Sequence, residues 1–311
     1  MLFFSFKLFN MYNIFSKKIR LMKQIKGIYA ATLSIINDNL SLNVEKTIKH
    51  AEHLIQNGCH GVVFFGSTGQ AQLISISEKI DLINEISKNK FKDNFIIGTG
   101  LNSLVENINL IKISLKLGFD TFLIMPPAYY KFGDKDVINF YSNLVKSVPD
   151  AKIILYNFEK LCGYKFSKNC VIELVNKFPN QIIGVKDSSY NLFKDIKIKN
   201  FSVLPGSESK LLEGLKLGST GIITATCNAT MSLARKVFDD HMNKIDQTQN
   251  EKLCKIRGVF EQYNLISGLH TFFGEKNHSF RNLLPPLALL TENDKKKLFE
   301  DLKKLDFNIE Y

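Results

Sequence analysis

A chain of 311 residues with 45% hydrophobic content can bury a full core, which excludes a low-complexity protein and allows one large α/β domain or two small ones. Of the +11 formal charge, Lys7, Lys17, Lys18, Arg20, Lys23 and Lys26 supply six units before the first acid, Asp38, leaving about +5 on the body without a basic stripe, so nucleic acid is not the expected partner. Cys59, Cys162, Cys170, Cys227 and Cys254 are odd in number and lack CxxC spacing, which points to reduced thiols of a cytosolic, cytoplasmic protein and not to a disulfide frame or zinc site.

Residues 1–21 are rich in Phe, Lys and Asn and differ in character from the rest of the chain. Phe3, Phe4, Phe6 and Phe9 precede most of the basic residues and no Ala-x-Ala site comes after them, against a signal peptide. Lys7 and Asn10 interrupt an apolar part already too short to span a bilayer, and no other stretch is a membrane candidate. An acid-free start would suit an organellar transit peptide, but Arg is nearly absent. The preferred reading is an extension of doubtful status, with translation starting at Met11 or Met22.

From Lys26 short apolar runs alternate with amphipathic stretches. Strands are expected at Gly27 to Ile36, Gly61 to Phe65, Phe95 to Gly98, Thr121 to Met125, Lys152 to Tyr156, Gln181 to Lys186, Phe201 to Leu204 and Gly221 to Thr224. Between them Asn43 caps a helix from Val44 to Gln56, Ser77 and Glu78 begin another, Asp134 or Lys135 opens one running to Val148, and Ser167 opens one reaching Phe178. Eight βα units at spacings of roughly 20–35 residues, uninterrupted by a linker, predict a (β/α)8 TIM barrel over residues 22–228. After Asn228 only helices are expected (Met231 to Ile245, Asn250 to Ile266, Glu292 to Leu305), so residues 229–311 read as a C-terminal helical extension packed on the barrel.

Active sites of such barrels lie at the C-terminal strand ends, and the polar residues there form the candidate constellation. The sixth run, Ile182-Ile183-Gly184-Val185-Lys186-Asp187-Ser188-Ser189, ends in a lysine. An ammonium there loses hydration, which favours the neutral amine that can attack a ketone; the bland alternative is a lysine that snorkels out or pairs with Asp187. Gly66-Ser67-Thr68-Gly69-Gln70 after strand 2 offers hydroxyls and backbone N–H groups that suit a small carboxylate, or is an ordinary capped turn. Tyr156-Asn157 ends strand 5, where a tyrosine either relays protons or packs. Pro126-Pro127-Ala128-Tyr129-Tyr130 is a rigid turn whose tyrosines either shape the pocket or make a packing or subunit contact. Gly206-Ser207-Glu208 and Thr226-Cys227-Asn228 come after strands 7 and 8. None of the six histidines ends a strand, so no metal site and no metal-dependent aldolase is expected.

Gly66-Ser67-Thr68-Gly69, Tyr156-Asn157 and Gly184-Val185-Lys186-Asp187, in that order, resemble the dihydrodipicolinate synthase/N-acetylneuraminate lyase superfamily from about Lys26 to the C-terminus. The resemblance implies a metal-independent class I lyase that binds pyruvate as a Schiff base and works as a homotetramer or dimer of dimers. It needs no cofactor beyond the covalent adduct on Lys186. Its partners are a small keto acid and an aldehyde, with no membrane or nucleic acid. It assigns Lys186 as the Schiff-base lysine, Tyr156 as the proton relay, and Ser67 and Thr68 as carboxylate ligands. Tyr130 falls near the family's pocket tyrosine, in a register shared with Tyr129, and Ser188 and Gly206 join the substrate-binding set.

The departures point to the substrate. The lysine-pathway synthases carry an arginine five residues after the strand-5 tyrosine, where this chain has Leu161, and Lys160 offers only a mobile charge. The sialic acid lyases carry two acids after the strand-7 glycine, where Ser207-Glu208 leaves one. The pattern is closer to aldolases of 2-keto-3-deoxy sugar acids, or of an N-acetylneuraminate-like substrate, with Glu208 and Thr226 as expected hydroxyl ligands. The alternatives are a 4-hydroxy-tetrahydrodipicolinate synthase and a non-catalytic keto-acid-binding barrel. Gln70 stands where the family usually has Glu, with no functional account from the sequence.

Overall fold

The computed structural model describes residues 24–308; the extension at residues 1–21, with Met11 and Met22, lies outside them. Eight short parallel strands succeed one another: β1 (Gly27–Ala31), β2 (Gly61–Phe64), β3 (Phe95–Gly98), β4 (Thr121–Ile124), β5 (Lys152–Asn157), β6 (Ile182–Asp187), β7 (Ser202–Pro205) and β8 (Gly221–Thr224). They pair in the order β7-β6-β5-β4-β3-β2-β1-β8. The ring closes where the Thr220 N–H, just ahead of β8, donates to the Val203 carbonyl at 2.9 Å. Side chains alternate across the wall: Ala31, Val63, Ile96, Leu123, Ile154, Leu204 and Ile223 fill the interior, while Ile28, Val62, Ile97, Phe122, Ile153 and Ile222 face the helices.

The helices are α1 (Val44–Gln56), α2 (Ile76–Ile86), α3 (Leu104–Lys116), α4 (Asp134–Ser147), α5 (Lys168–Lys177), α6 (Leu211–Lys216) and α7 (Cys227–Met242). Asn43, Ser75, Ser103 and Ser167 cap α1, α2, α3 and α5, each accepting the N–H three residues on, a contribution of about 1 kcal/mol apiece. No helix comes directly after β6. There the Asp187 carboxylate accepts from the N–H groups of Leu192 and Phe193 at 2.8 and 2.9 Å, and the Asn191 side chain is tied to Asn157 and Phe166. These bonds hold N–H groups that a helix would need, so the sixth of the eight expected βα units is a strand and an irregular segment.

β1 is shorter than its apolar run. Past Ala31 side chains take over its backbone: Leu33 N–H donates to Asn228 Oδ1 at 3.0 Å and Ile35 N–H to Thr47 Oγ1 at 2.9 Å. Asn228 Nδ2 also donates to the carbonyls of Ala31 and Ala225, joining the ends of β1 and β8. Helix α7 packs on β1 and α1 as the last helix of the ring, so the domain boundary expected after Asn228 falls inside it. The extension proper is α8 (Asn250–Phe260), α9 (Leu265–Gly274) and α10 (Glu292–Lys304). The single helix expected from Asn250 to Ile266 breaks because the Asn264 side chain accepts from Ile266 and Ser267 N–H and starts α9. Ile256, Phe260, Leu269, Phe272 and Phe273 form a second core here with Leu33 and Ile35.

Two histidines are sealed into these seams. His50 Nε2 donates to Asn228 Oδ1 at 2.8 Å, and His270 Nδ1 donates to the Phe280 carbonyl at 2.8 Å. Burial pulls His50 down from 6.5 to about 3 and His270 from 6.5 to about 4. The unfolded chain protonates them near 6.5 and the folded chain does not, so their stabilisation is complete above that pH. It is lost as pH falls toward 4 and 3, by about 1.4 kcal/mol per pH unit per histidine inside the window. Urea unfolding at pH 7.5 and pH 5 is expected to show the drop, with a shallower pH slope in His270→Gln.

Candidate active site

β5 and β6 are paired with a slip: Ile153 faces Ile182, but Ile154 faces Gly184 and Tyr156 faces Lys186. Because strand side chains alternate, an extra residue inverts the faces beyond it. Ile182 and Val185 accordingly both join the outer core, while Ile183 lies inside. Lys186 therefore turns inward beside Tyr156, its Nζ 4.2 Å from the tyrosine ring centroid. A Cβ at Gly184 would come within 2.8 Å of the Ser202 carbonyl oxygen, so the slip requires a residue without one.

Lys186 is 3% exposed, and among the described residues its amine has no hydrogen-bond or ion-pair partner. Asp187 does not pair with it; that carboxylate takes Asn157 Nδ2 at 2.8 Å and the two amides after β6. The amine is therefore not held in an ion pair and is left to meet a ligand in the cavity. Ser67 Oγ and Tyr156 OH share a hydrogen bond of 3.0 Å, which gives the phenol a route for protons. Ser67 and Thr68 begin a single 3-10 turn (Ser67–Gly69) after β2, whose first N–H groups have no partner inside the turn. Gln70, the residue without a functional account, is structural: its Oε1 accepts from the Leu284 N–H at 2.8 Å and fastens the C-terminal region to this turn.

Ser67, Thr68, Tyr156, Lys186, Ser188 and Gly206 all line one cavity of about 640 Å³. A Cβ at Gly206 would meet Ser188 Oγ at 2.1 Å, so the glycine gives the serine hydroxyl its place. Three expected residues lie elsewhere. Tyr130 is 74% exposed, edge-to-face with Tyr129, and outside the lining. Glu208 and Thr226 are fully buried beneath the floor. Glu208 Oε2 accepts from Thr224 at 2.8 Å, Thr226 at 2.5 Å and Arg257 Nη1 at 3.0 Å, and Oε1 from Thr230 at 3.3 Å. Its oxygens are engaged within the protein, so as placed neither residue presents a free group to a substrate hydroxyl.

The extension supplies a wall that the sequence reading missed. Arg257, Glu261, Tyr263, Asn264 and Ile266, from α8 and its junction with α9, line the same cavity. A signal existed: Arg257 falls on the apolar face of α8, four residues from Leu253 and three from Phe260. Leu161, on a short helical turn (Glu159–Cys162), is shared with an adjoining apolar lobe of about 430 Å³ that also takes in Leu73, Leu123, Met125 and Leu287. Among the described residues no group of three His, Cys, Asp or Glu is placed to hold a metal.

Removing Glu208 leaves Arg257 buried without its main counter-charge. Glu208→Ala is expected to cost about 3–5 kcal/mol of stability in urea unfolding, and Glu208→Gln, which keeps an acceptor for the threonines, less. A side chain serving only as a substrate ligand would raise KM without that loss.

A family model described as the dihydrodipicolinate synthetase family matches residues 24–305. A 4-hydroxy-tetrahydrodipicolinate synthase of Listeria monocytogenes serotype 4b is 32% identical over 232 residues, 71% of this chain and 78% of its own. One of Methanothrix thermoacetophila is 26% identical over 290 residues, 90% of this chain and 97% of its own. The fold is shared with an E. coli prophage protein described as belonging to the dihydrodipicolinic acid synthase family and crystallised with pyruvate. The TM-score is 0.80 at 23% identity, covering 91% of this chain and 99% of that one.

Proposed function

The chain belongs to the dihydrodipicolinate synthetase family and is a carbon–carbon lyase; we propose that it works as a pyruvate-dependent class I aldolase through a Schiff base on Lys186. The second substrate is an aldehyde, and the joined compound is a 2-keto-3-deoxy sugar acid. The observation that carries this reading is the buried, unpaired Lys186 amine against Tyr156, in a cavity where Tyr156 is bonded to Ser67.

The steps derive from that placement. Ser67, Thr68 and the turn's N–H groups hold the keto acid carboxylate. The Lys186 amine attacks C2, and the carbinolamine loses water to an iminium as Tyr156 moves the protons, with Ser67 as its neighbour. The iminium draws electrons from C3, loss of a C3 proton gives the enamine, and its C3 attacks the aldehyde carbon. Water then hydrolyses the imine, releasing product and the amine; cleavage runs the same steps backward.

A second reading, a 4-hydroxy-tetrahydrodipicolinate synthase, is favoured by the names of the Listeria and Methanothrix relatives. Leu161 weighs against it, since an apolar side chain cannot fork a carboxylate and Lys160 is exposed at the rim. Turnover of aspartate semialdehyde in preference to hydroxyaldehydes would establish it. Family membership supports a homotetramer or dimer of dimers, which light scattering checks. Among the described residues no helix is long and apolar enough to cross a membrane.

Borohydride reduction with pyruvate, then peptide mass spectrometry, is expected to leave a reduced pyruvyl adduct on the Lys186 peptide. Lys186→Ala is expected to abolish both adduct and turnover; retained pyruvate binding in a wild-type protein without an adduct would favour a binding barrel instead. Tyr156→Phe is expected to lower kcat by about 10²–10⁴-fold, read by pyruvate consumption.

A further inference from the structure

The part of the cavity lining that comes from the C-terminal helices carries a charged pair, Arg257 and Glu261. Arg257 spends its Nη1 on Glu208, Thr224 and Thr226 at 3.0, 2.9 and 3.1 Å. Its Nε donates to Glu261 Oε1 at 2.8 Å. Among the described residues Nη2 has no hydrogen-bond partner, and neither has Glu261 Oε2. Both residues line the cavity. With Arg257 5% and Glu261 45% exposed at the side chain, the first is buried and the second half exposed.

A guanidinium grips a carboxylate through two parallel N–H groups. With Nε and Nη1 both engaged, Arg257 has no parallel pair left to offer; the two N–H groups that remain are both on Nη2 and diverge. The charges agree with the geometry. One arginine is set against two carboxylates, Glu208 and Glu261, so the cluster is net negative and repels a second anion. Glu159 on the rim is paired with Lys165 at 3.1 Å, and Lys160 is an exposed point charge. What remains is the Nη2 amino group beside one carboxylate oxygen, Glu261 Oε2, a donor group and an acceptor that complement a hydroxyl group.

We propose that the Arg257–Glu261 pair is the specificity element of this cavity and binds the hydroxyls of an uncharged hydroxyaldehyde. This rests on the aldolase reading above and assigns to the C-terminal helices the hydroxyl recognition that Glu208 and Thr226, buried and bonded to each other, do not provide.

The test begins with the wild-type pyruvate adduct on Lys186, trapped by borohydride, and then compares glyceraldehyde, propanal and aspartate semialdehyde as acceptors in kcat/KM. Glyceraldehyde is expected to be preferred to both others. In Glu261→Ala the glyceraldehyde-to-propanal ratio is expected to fall about tenfold, while Glu261→Gln, which keeps a carbonyl acceptor, restores most of it. Glu261 is half exposed, so its variants retain the buried Arg257–Glu208 pair. An unchanged ratio in Glu261→Ala, or a wild-type preference for propanal or aspartate semialdehyde, overturns the assignment while leaving the Schiff base intact. A wild-type protein with no adduct overturns both readings together.

Discussion

The site depends on the slip between β5 and β6. Without the extra residue near Gly184, alternation would send Lys186 into the outer core and Val185 into the barrel. The slip costs a ladder irregularity and demands a glycine, because the Ser202 carbonyl occupies the space of a Cβ. In return Lys186 and Tyr156 become cross-strand neighbours on the inner face. The same inversion turns Asp187 outward, where its carboxylate orders the segment after β6 and cannot neutralise the lysine. One backbone irregularity thus separates two adjacent charged residues into different surroundings.

The barrel was legible because buried parallel strands are short apolar runs and the caps of α1 and α5 announce themselves as Asn43 and Ser167. Strand ends were less so. Whether Leu33 and Ile35 pair with a strand or with Asn228 and Thr47 depends on residues up to 195 positions away. The missing helix after β6 has the same origin, since an aspartate on a strand end removes amides five and six residues later. Ser67, Thr68, Tyr156, Lys186, Ser188 and Gly206 could be grouped from their positions at strand ends. Glu208 and Thr226 occupy such positions too, and only the arrival of Arg257 from outside the barrel shows why they are consumed internally.

That arrival ties the extension to the chemistry. A buried ion pair contributes little by itself to stability, because desolvation offsets attraction, but Glu208 and Arg257 fix α8 against the floor at β8 with hydrogen bonds to two threonines. Gln70 draws the segment before α10 onto the strand-2 turn from the other side. The α8–α9 junction, where Asn264 stops one helix and begins the next, thereby lines the same cavity as the lysine.

The junction's position divides the molecule by origin. Groups that would carry bond chemistry sit on the strands of a closed ring, and another part of the cavity lining comes from a tail attached after that ring is complete. A barrel of this kind could exchange its tail, by recombination in evolution or by grafting in the laboratory, and acquire a new diet while its lysine stays where the strands put it. The breadth of such enzymes would then be written less in the barrel than in the last fifth of the chain.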